Sequence, residues 1–499
     1  MDSTNKMVQV KLTITEEEAG IFIFDMLQAI AAMQVSMDKA AIIIKASIKE
    51  EIVRFICSPF FHILFHSMRW KKICYGAYPV YDIMRKREAA IMKIVVIGAG
   101  ASGMVAAITA ARKGAEVVLF EKEERVGKKL LATGNGKCNY SNEIYTGSEY
   151  HCSDLSFVQT VLSKVTVEDT LEFFKELGVW PRVLSEGRIY PYSEQASSVL
   201  DALRTEIKRL KIEVICEHWI KGMVRRETGG FNLVSQQNMR LRADKVILAC
   251  GGRAGAQYGC DGDGHAIAEM LDHRVEEPVQ ALVQLTSDES YFKHLKGVRS
   301  KGQVSLVCKG DVLDTEVGEI QFTEFGLSGI CVFNLSGMAM RQIKQGEKVF
   351  VRIDLFPEIQ MEELYQMMQT RWEQSQDKTL EEFLNGLVHK KVAVILLKLL
   401  KMEKLSMLVS DIKQEELNKL SFLMKNWNVP IQGSKGWNEA QTTSGGIVVE
   451  EIDPETMESK ILQDLFFSGE VIDVDGKCGG YNLQWAWSSG ILAGKSAAE

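Results

Sequence analysis

The sequence predicts an α/β fold built on a parallel sheet and interrupted by a mostly β insertion and a helical one. Three observations carry this. From Lys93 the run KIVVI, the Ala-rich ASGMVAAITAARKG and then EVVLFEK read as strand, helix and strand. From 283 to about 356 short strand patterns recur, as in GQVSLVCKGDVL and GEKVFVRIDL. From 357 to about 430, MEELYQMMQTRWEQS, TLEEFLNGL and KKVAVILLKLLKM carry helical apolar spacing, and after Pro430 strand and glycine signals return.

In chain order, residues 1–91 come first, with helical patterns such as IFIFDMLQAIAAM and a basic stretch at MRWKK, but no chemical motif. They read either as an added helical domain or as sequence upstream of a natural start at Met92. The run FICSPFFHILFHSM is shorter than the roughly 20 residues a spanning helix needs, so no membrane segment is expected. Residues 92–282 and 431–499 form one discontinuous nucleotide-binding domain, 283–356 the inserted β domain and 357–430 the inserted helical domain.

Composition narrows the function. Of 499 residues 46% are hydrophobic and 25% charged, as in soluble globular proteins, and a net charge of −7 draws the chain to neither nucleic acid nor anionic lipid. Small-molecule chemistry is the default expectation. The ten cysteines never form Cys-x-x-Cys and the eight histidines show no ligand spacing, so neither a disulfide framework nor a metal site is expected. A reducing cytoplasm follows as the expected compartment.

The chemistry lies in the glycines. Gly98-Ala99-Gly100-Ala101-Ser102-Gly103 follows a strand and opens a helix, the context a dinucleotide fingerprint requires. Gly98 permits the turn, Gly100 clears space for a pyrophosphate, Gly103 lets helix and strand pack closely, and the helix N-terminus supplies N–H donors. Glu121, ending the second strand, is the acid expected on the ribose hydroxyls. No second fingerprint is visible, since GGRAGAQYGCDGDG lacks the spacing. The loop GKKLLATGNGKCNYSN, with Gly134, Gly136, Asn135 and Asn139, suits wrapping a ligand. One dinucleotide, closed over by distant segments, points to FAD.

VVIGAGASGMVAAITAARKGAEVVLFEK, GKKLLATGNGKCN, GWNEAQTTSGGI, LFFSGEVIDVDG and GGYNLQWAWSSG together resemble the BaiN-like and aminoacetone-oxidase-like family of bacterial FAD flavoproteins, over about residues 92–499. GRIYPYSEQASSVLDAL and FTEFGLSGICVFNLS are similar to internal signatures of that family. The resemblance implies a Rossmann-like FAD domain interrupted by a β-barrel-like and a small helical domain. It also implies that Ala101, Ser102, Glu121 and Lys122 lie along adenosine and pyrophosphate. The loop containing Lys128, Lys129, Thr133, Gly134, Asn135, Gly136 and Asn139 would cover the diphosphate and ribityl region. Val224 would offer backbone hydrogen bonds to adenine. Gly469, Glu470 and Asp473 would reach the ribityl chain, with Asp473 taking its hydroxyls. Gly480, Asn482 and Leu483 would begin a helix facing the flavin pyrimidine. Cys138 and Cys478 sit within these motifs, but without a partner spaced for exchange a buried thiol is the commoner state.

The same resemblance implies a reductase of C=C bonds conjugated to the 3-ketone of bile-acid intermediates, with NADH or NADPH as transient donor. Arg188, Tyr190 and Tyr192 would be candidate donors to the ketone. A small-molecule steroid is thus the expected partner, without nucleic acid or membrane, and the oligomeric state stays open. Two alternatives are an amine oxidase releasing hydrogen peroxide and a flavin-binding factor that engages RNA or protein.

Overall fold

Five strands pack edge to edge, apolar in the middle of the sheet: β1 (Lys93–Ile97), β2 (Glu116–Phe120), β3 (Glu213–Ile215), β4 (Lys245–Leu248) and β5 (Leu465–Phe467). All pair in parallel in the order β5-β4-β1-β2-β3, as a sheet covered on both faces demands. Ile94, Val95 and Val96 are fully buried, which explains their uninterrupted apolar run. The computed structural model describes residues 92–402 and 404–499, so the readings made for 1–91 lie outside the described residues.

β1 leads into the helix Ala101–Arg112, and the C-terminal helix Tyr481–Ala497 packs along it. Close approach of that pair rests on small residues. A three-stranded antiparallel meander, Ile220–Arg225, Phe231–Ser235 and Arg240–Ala243, follows β3.

The insertion is a seven-stranded antiparallel sheet. Its two end strands, Trp427–Ile431 and Gly433–Ser434, are separated in the chain by Gln432 alone. The last strand in hydrogen-bonding order therefore nearly continues the first, which brings the two ends of the sheet together in a barrel-like arrangement. The helix Ile330–Lys344 lies against it. The helices between Met361 and Lys425 share its core: Leu364, Leu396 and Leu420 cluster with Val304, Ile353 and Trp427. Among the described residues no helix is long and apolar enough to cross a membrane.

Candidate functional site

A cleft of about 770 Å³ opens above the C-terminal ends of the parallel strands, where an open α/β sheet binds its ligands. Backbone geometry builds one half of it. Gly98 sits at φ 102°, and a Cβ at Gly103 would lie 1.9 Å from the Gly98 carbonyl oxygen, so both positions require glycine. Gly100 differs, because a Cβ there would meet nothing within 4 Å and would project into the cleft. Ala101 and Ser102 line the same space at the N-terminus of the helix Ala101–Arg112, where unpaired N–H groups and the positive dipole end favour an anion.

Glu121 faces the cleft and accepts hydrogen bonds from the Ala99 and Glu123 amides, both at 3.0 Å. Burial nevertheless raises its carboxyl above the ordinary range. The lysines are already engaged. Lys122 bonds Asp261 at 2.5 Å and Asp263 at 3.0 Å, Lys128 bonds Glu123 at 2.7 Å, and Lys129 bonds Glu470 at 2.7 Å. Burial pushes Asp263 up to about 6, against the pull of Lys122. With the ammonium groups paired to carboxylates, a diphosphate here would rely chiefly on backbone donors.

Thr133, Gly134, Asn135 and Asn139 line the cleft from the wrapping loop. Asn139 Oδ1 is buried and has no hydrogen-bond partner among the described residues, an acceptor held ready for a ligand donor. Beside it Gly480, Asn482 and Leu483 bring in the N-terminus of the helix Tyr481–Ala497. The Asn482 side chain is turned back to Gly476, accepting from its amide at 2.8 Å and donating to its carbonyl at 2.6 Å. Asn482 thus shapes the turn and leaves the helix amides to face the cleft. Cys138 and Cys478 are pushed up to about 12 by burial, so both are thiols at neutral pH and a thiolate redox role gains no support.

The insertion and its junction also line the cleft, through Leu282, Ile330 and Phe333, and so do Arg188 and Tyr190. Arg188 is ion-paired with Glu186.

Several expected site residues stand elsewhere. Asp473 does not line the cleft; its buried carboxylate accepts from Arg341 at 2.8 Å and from the Gly445 amide at 2.9 Å, and Glu470, three residues earlier, faces the cleft instead. Val224 is 67% exposed, and Trp219 and Ile220 at the start of the same strand line the cleft in its stead. Tyr192 points outward, 62% exposed, with the Arg182 guanidinium 4.0 Å from its ring centre. The strand ends at Pro191, so Tyr192 leaves the face that Arg188 and Tyr190 share. Gly103, Gly136 and Gly469 also do not line the cleft. Gly469 packs against Ser102, whose Oγ a Cβ there would meet at 2.4 Å.

The loop from Gly255 to Cys260 and the segment Asn438–Thr442 also line the cleft, beyond the residues the sequence motifs indicate. Their signals were present in GGRAGAQYGCDGDG and GWNEAQTTSGGI, both glycine- or Asn-rich runs beside strands.

Open space over Gly100, an acid at the end of β2, an unpartnered buried acceptor and two converging helix N-termini together fit FAD. The chain matches the family described as HI0933-like protein Rossmann domain over residues 92–496. It is 39% identical over 409 residues to the 3-dehydro-bile acid delta(4,6)-reductase of Clostridium scindens, covering 82% of this chain and 99% of that one. It is 28% identical to the ribosomal RNA dihydrouridine synthase of Escherichia coli, covering 81% and 98%. A solved flavocytochrome c3 fumarate reductase in its open conformation superposes at TM-score 0.41 and 15% identity, covering 84% of this chain and 80% of that one. This chain belongs to the HI0933-like Rossmann family and is an FAD-dependent oxidoreductase.

Proposed function

We propose that the enzyme reduces a carbon–carbon double bond conjugated to the 3-ketone of a bile-acid steroid, with NADH or NADPH as electron donor. The reading is supported by the make-up of the cleft: beside a glycine and helix-N-terminus lining suited to a dinucleotide, Ile330, 45% exposed, and the half-buried Phe333 offer apolar surface. Two relatives support it. One is named for reducing the 4,6 positions of a 3-dehydro-bile acid. The other is named for making dihydrouridine, which is also saturation of a double bond conjugated to a carbonyl.

Bound against the glycine and helix-N-terminus lining, FAD would supply hydride chemistry between a nicotinamide donor and the alkene. The chain's own residues have three tasks. Ile330, Phe333 and Leu282 exclude water and lay the steroid flat against the cleft. Arg188 and Tyr190, on one strand with side chains on the same face, donate hydrogen bonds to the ketone oxygen, where negative charge grows as the β carbon accepts hydride. The amides at the start of the helix Tyr481–Ala497 stabilise negative charge on the cofactor side.

Anaerobic rapid mixing tests the reading. NADH or NADPH should bleach the flavin, and a 3-oxo-Δ4 bile acid should restore its colour with formation of the saturated ketone. Reduced flavin that no such steroid reoxidises overturns it; recovery by oxygen alone, with peroxide released after an amine, would establish the amine-oxidase alternative. Recovery with unmodified ribosomal RNA instead would establish the second relative's chemistry, against which the net charge of −7 argues.

A further inference from the structure

Asp473, Asp475, Lys477 and Cys478 occupy the short segment that leads from β5 into the glycine pair before the helix Tyr481–Ala497. Every one of them is tied to the inserted domain or to a residue that is. Arg341, on the helix Ile330–Lys344, donates from Nη2 to Asp473 Oδ1 at 2.8 Å and from Nε to Ser444 Oγ at 2.9 Å. Ser444 Oγ donates in turn to Asp475 Oδ1 at 2.6 Å, and the other Asp475 oxygen meets His151 Nδ1 at 3.1 Å. Asp473 and Asp475 are only 4% and 2% exposed, so two buried carboxylates are balanced by the Arg341 guanidinium and the His151 ring.

A second set of bonds lies closer to the helix. Lys477 Nζ bonds Glu316 Oε1 at 2.6 Å, Asn334 Nδ2 donates to Glu316 Oε2 at 3.1 Å, and Asn334 Oδ1 accepts from the Cys478 amide at 2.9 Å. Glu316 lies on the barrel strand Asp311–Phe322 and Asn334 on the helix Ile330–Lys344. Arg341, Glu316 and Asn334 do not line the cleft, yet the chain they grip reaches it at Cys478, Gly479 and Gly480.

We propose that Arg341, Glu316 and Asn334 of the inserted domain are positioning residues for FAD: they hold segment 473–480 so that the helix N-terminus after it is presented to the cofactor. Seating of the inserted domain and retention of the cofactor are thereby one equilibrium. Removing Arg341 leaves Asp473 and Asp475 buried without a full countercharge, which the segment relieves only by moving toward water. Removing the Asn334 side chain orphans the Cys478 amide two residues before Gly480.

The test uses the full chain and reads flavin binding, independently of any steroid. Arg341→Gln and Asn334→Ala should each weaken FAD binding by about tenfold or more, measured by flavin fluorescence titration of the stripped protein. Amides of residues 473–480 should exchange hydrogen faster in both variants. Arg341→Lys, which restores the charge, should recover part of the affinity, and Glu316→Gln should cost less than Asn334→Ala. Circular dichroism and the melting of stripped protein identify a variant that has failed to fold; if Arg341→Gln does, Asn334→Ala and Glu316→Gln decide. FAD affinity within twofold of the parent in folded Asn334→Ala, with unchanged exchange at 473–480, overturns the proposal.

Discussion

On the nucleotide side of the cleft, Gly98, Gly100, Ser102 and Glu121 come from one short β-α-β stretch, and their work is done largely by backbone amides and by the space where side chains are missing. Elsewhere in the cleft lining, Ile330 and Phe333 come from the helix packed on the inserted sheet, more than two hundred residues further along, and their work is done by side-chain surface. The first wall tolerates little change, because a backbone site is altered only by steric intrusion. The second can be recut residue by residue without disturbing the sheet beneath. That this chain resembles relatives named for a bile acid and for ribosomal RNA is compatible with such a division.

The comparison is broken most directly at the glycines. Gly103→Ala should gain about 1 kcal/mol of helix propensity and lose far more, because its Cβ would sit 1.9 Å from a carbonyl oxygen. A net loss of about 3 kcal/mol or more is expected, with FAD absorbance lost from the purified protein. Gly100→Ala is its counterpart: melting should stay close to that of the parent while FAD affinity falls, since its Cβ enters only the cleft. A Gly100→Ala protein that binds FAD as tightly as the parent would mean that no ligand approaches that backbone.

The apolar lining gives the intermediate effect. Ile330→Ala and Phe333→Ala should each raise KM for the steroid by roughly tenfold, from about 1.5 kcal/mol of lost apolar contact, with FAD content unchanged. If these substitutions strip the flavin instead, the side chains at 330 and 333 help to seat the inserted helix and do not act on the steroid alone.

The smallest effect concerns pH. Asp263 holds its proton up to about 6, whereas an exposed Asp in the unfolded chain loses it near about 4. Between those values the native state binds more protons than the unfolded one, so stability should fall as pH rises, by on the order of 1 kcal/mol. Asp263→Asn should flatten that slope in urea midpoints taken from pH 4 to 6.5. An unchanged slope would assign the titration to another carboxyl.

Much of the nucleotide wall was legible in the sequence because its signals are local. Strand, turn glycines, helix and acid follow one another, and Gly98, Gly103 and Glu121 each answer to a neighbour only a few residues away or on the next strand. The misplacements share a different cause. Asp473 and Glu470 are both acids three residues apart in a motif that names no direction, and only Arg341, brought in from the inserted helix, draws one of them away. Tyr190 and Tyr192 lie on the same strand face by alternation, but the strand ends at Pro191, and the turn sends Tyr192 out under Arg182. Val224 lies within the expected strand, while the cleft is met at Trp219 and Ile220, where that strand begins.

By itself the sequence determined the α/β class, the dinucleotide fingerprint and the order of insertions, because hydrophobic period and glycine spacing are properties of neighbouring residues. Only the tertiary structure, through long-range contacts, decided that the strands on either side of Gln432 are the two end strands of the inserted sheet. It also decided that the insertion's helix grips the segment before the last helix, and which of two nearby acids turns toward the cleft. Those outcomes depend on contacts between residues more than a hundred positions apart, where burial makes each unpaired charge costly enough to choose its partner.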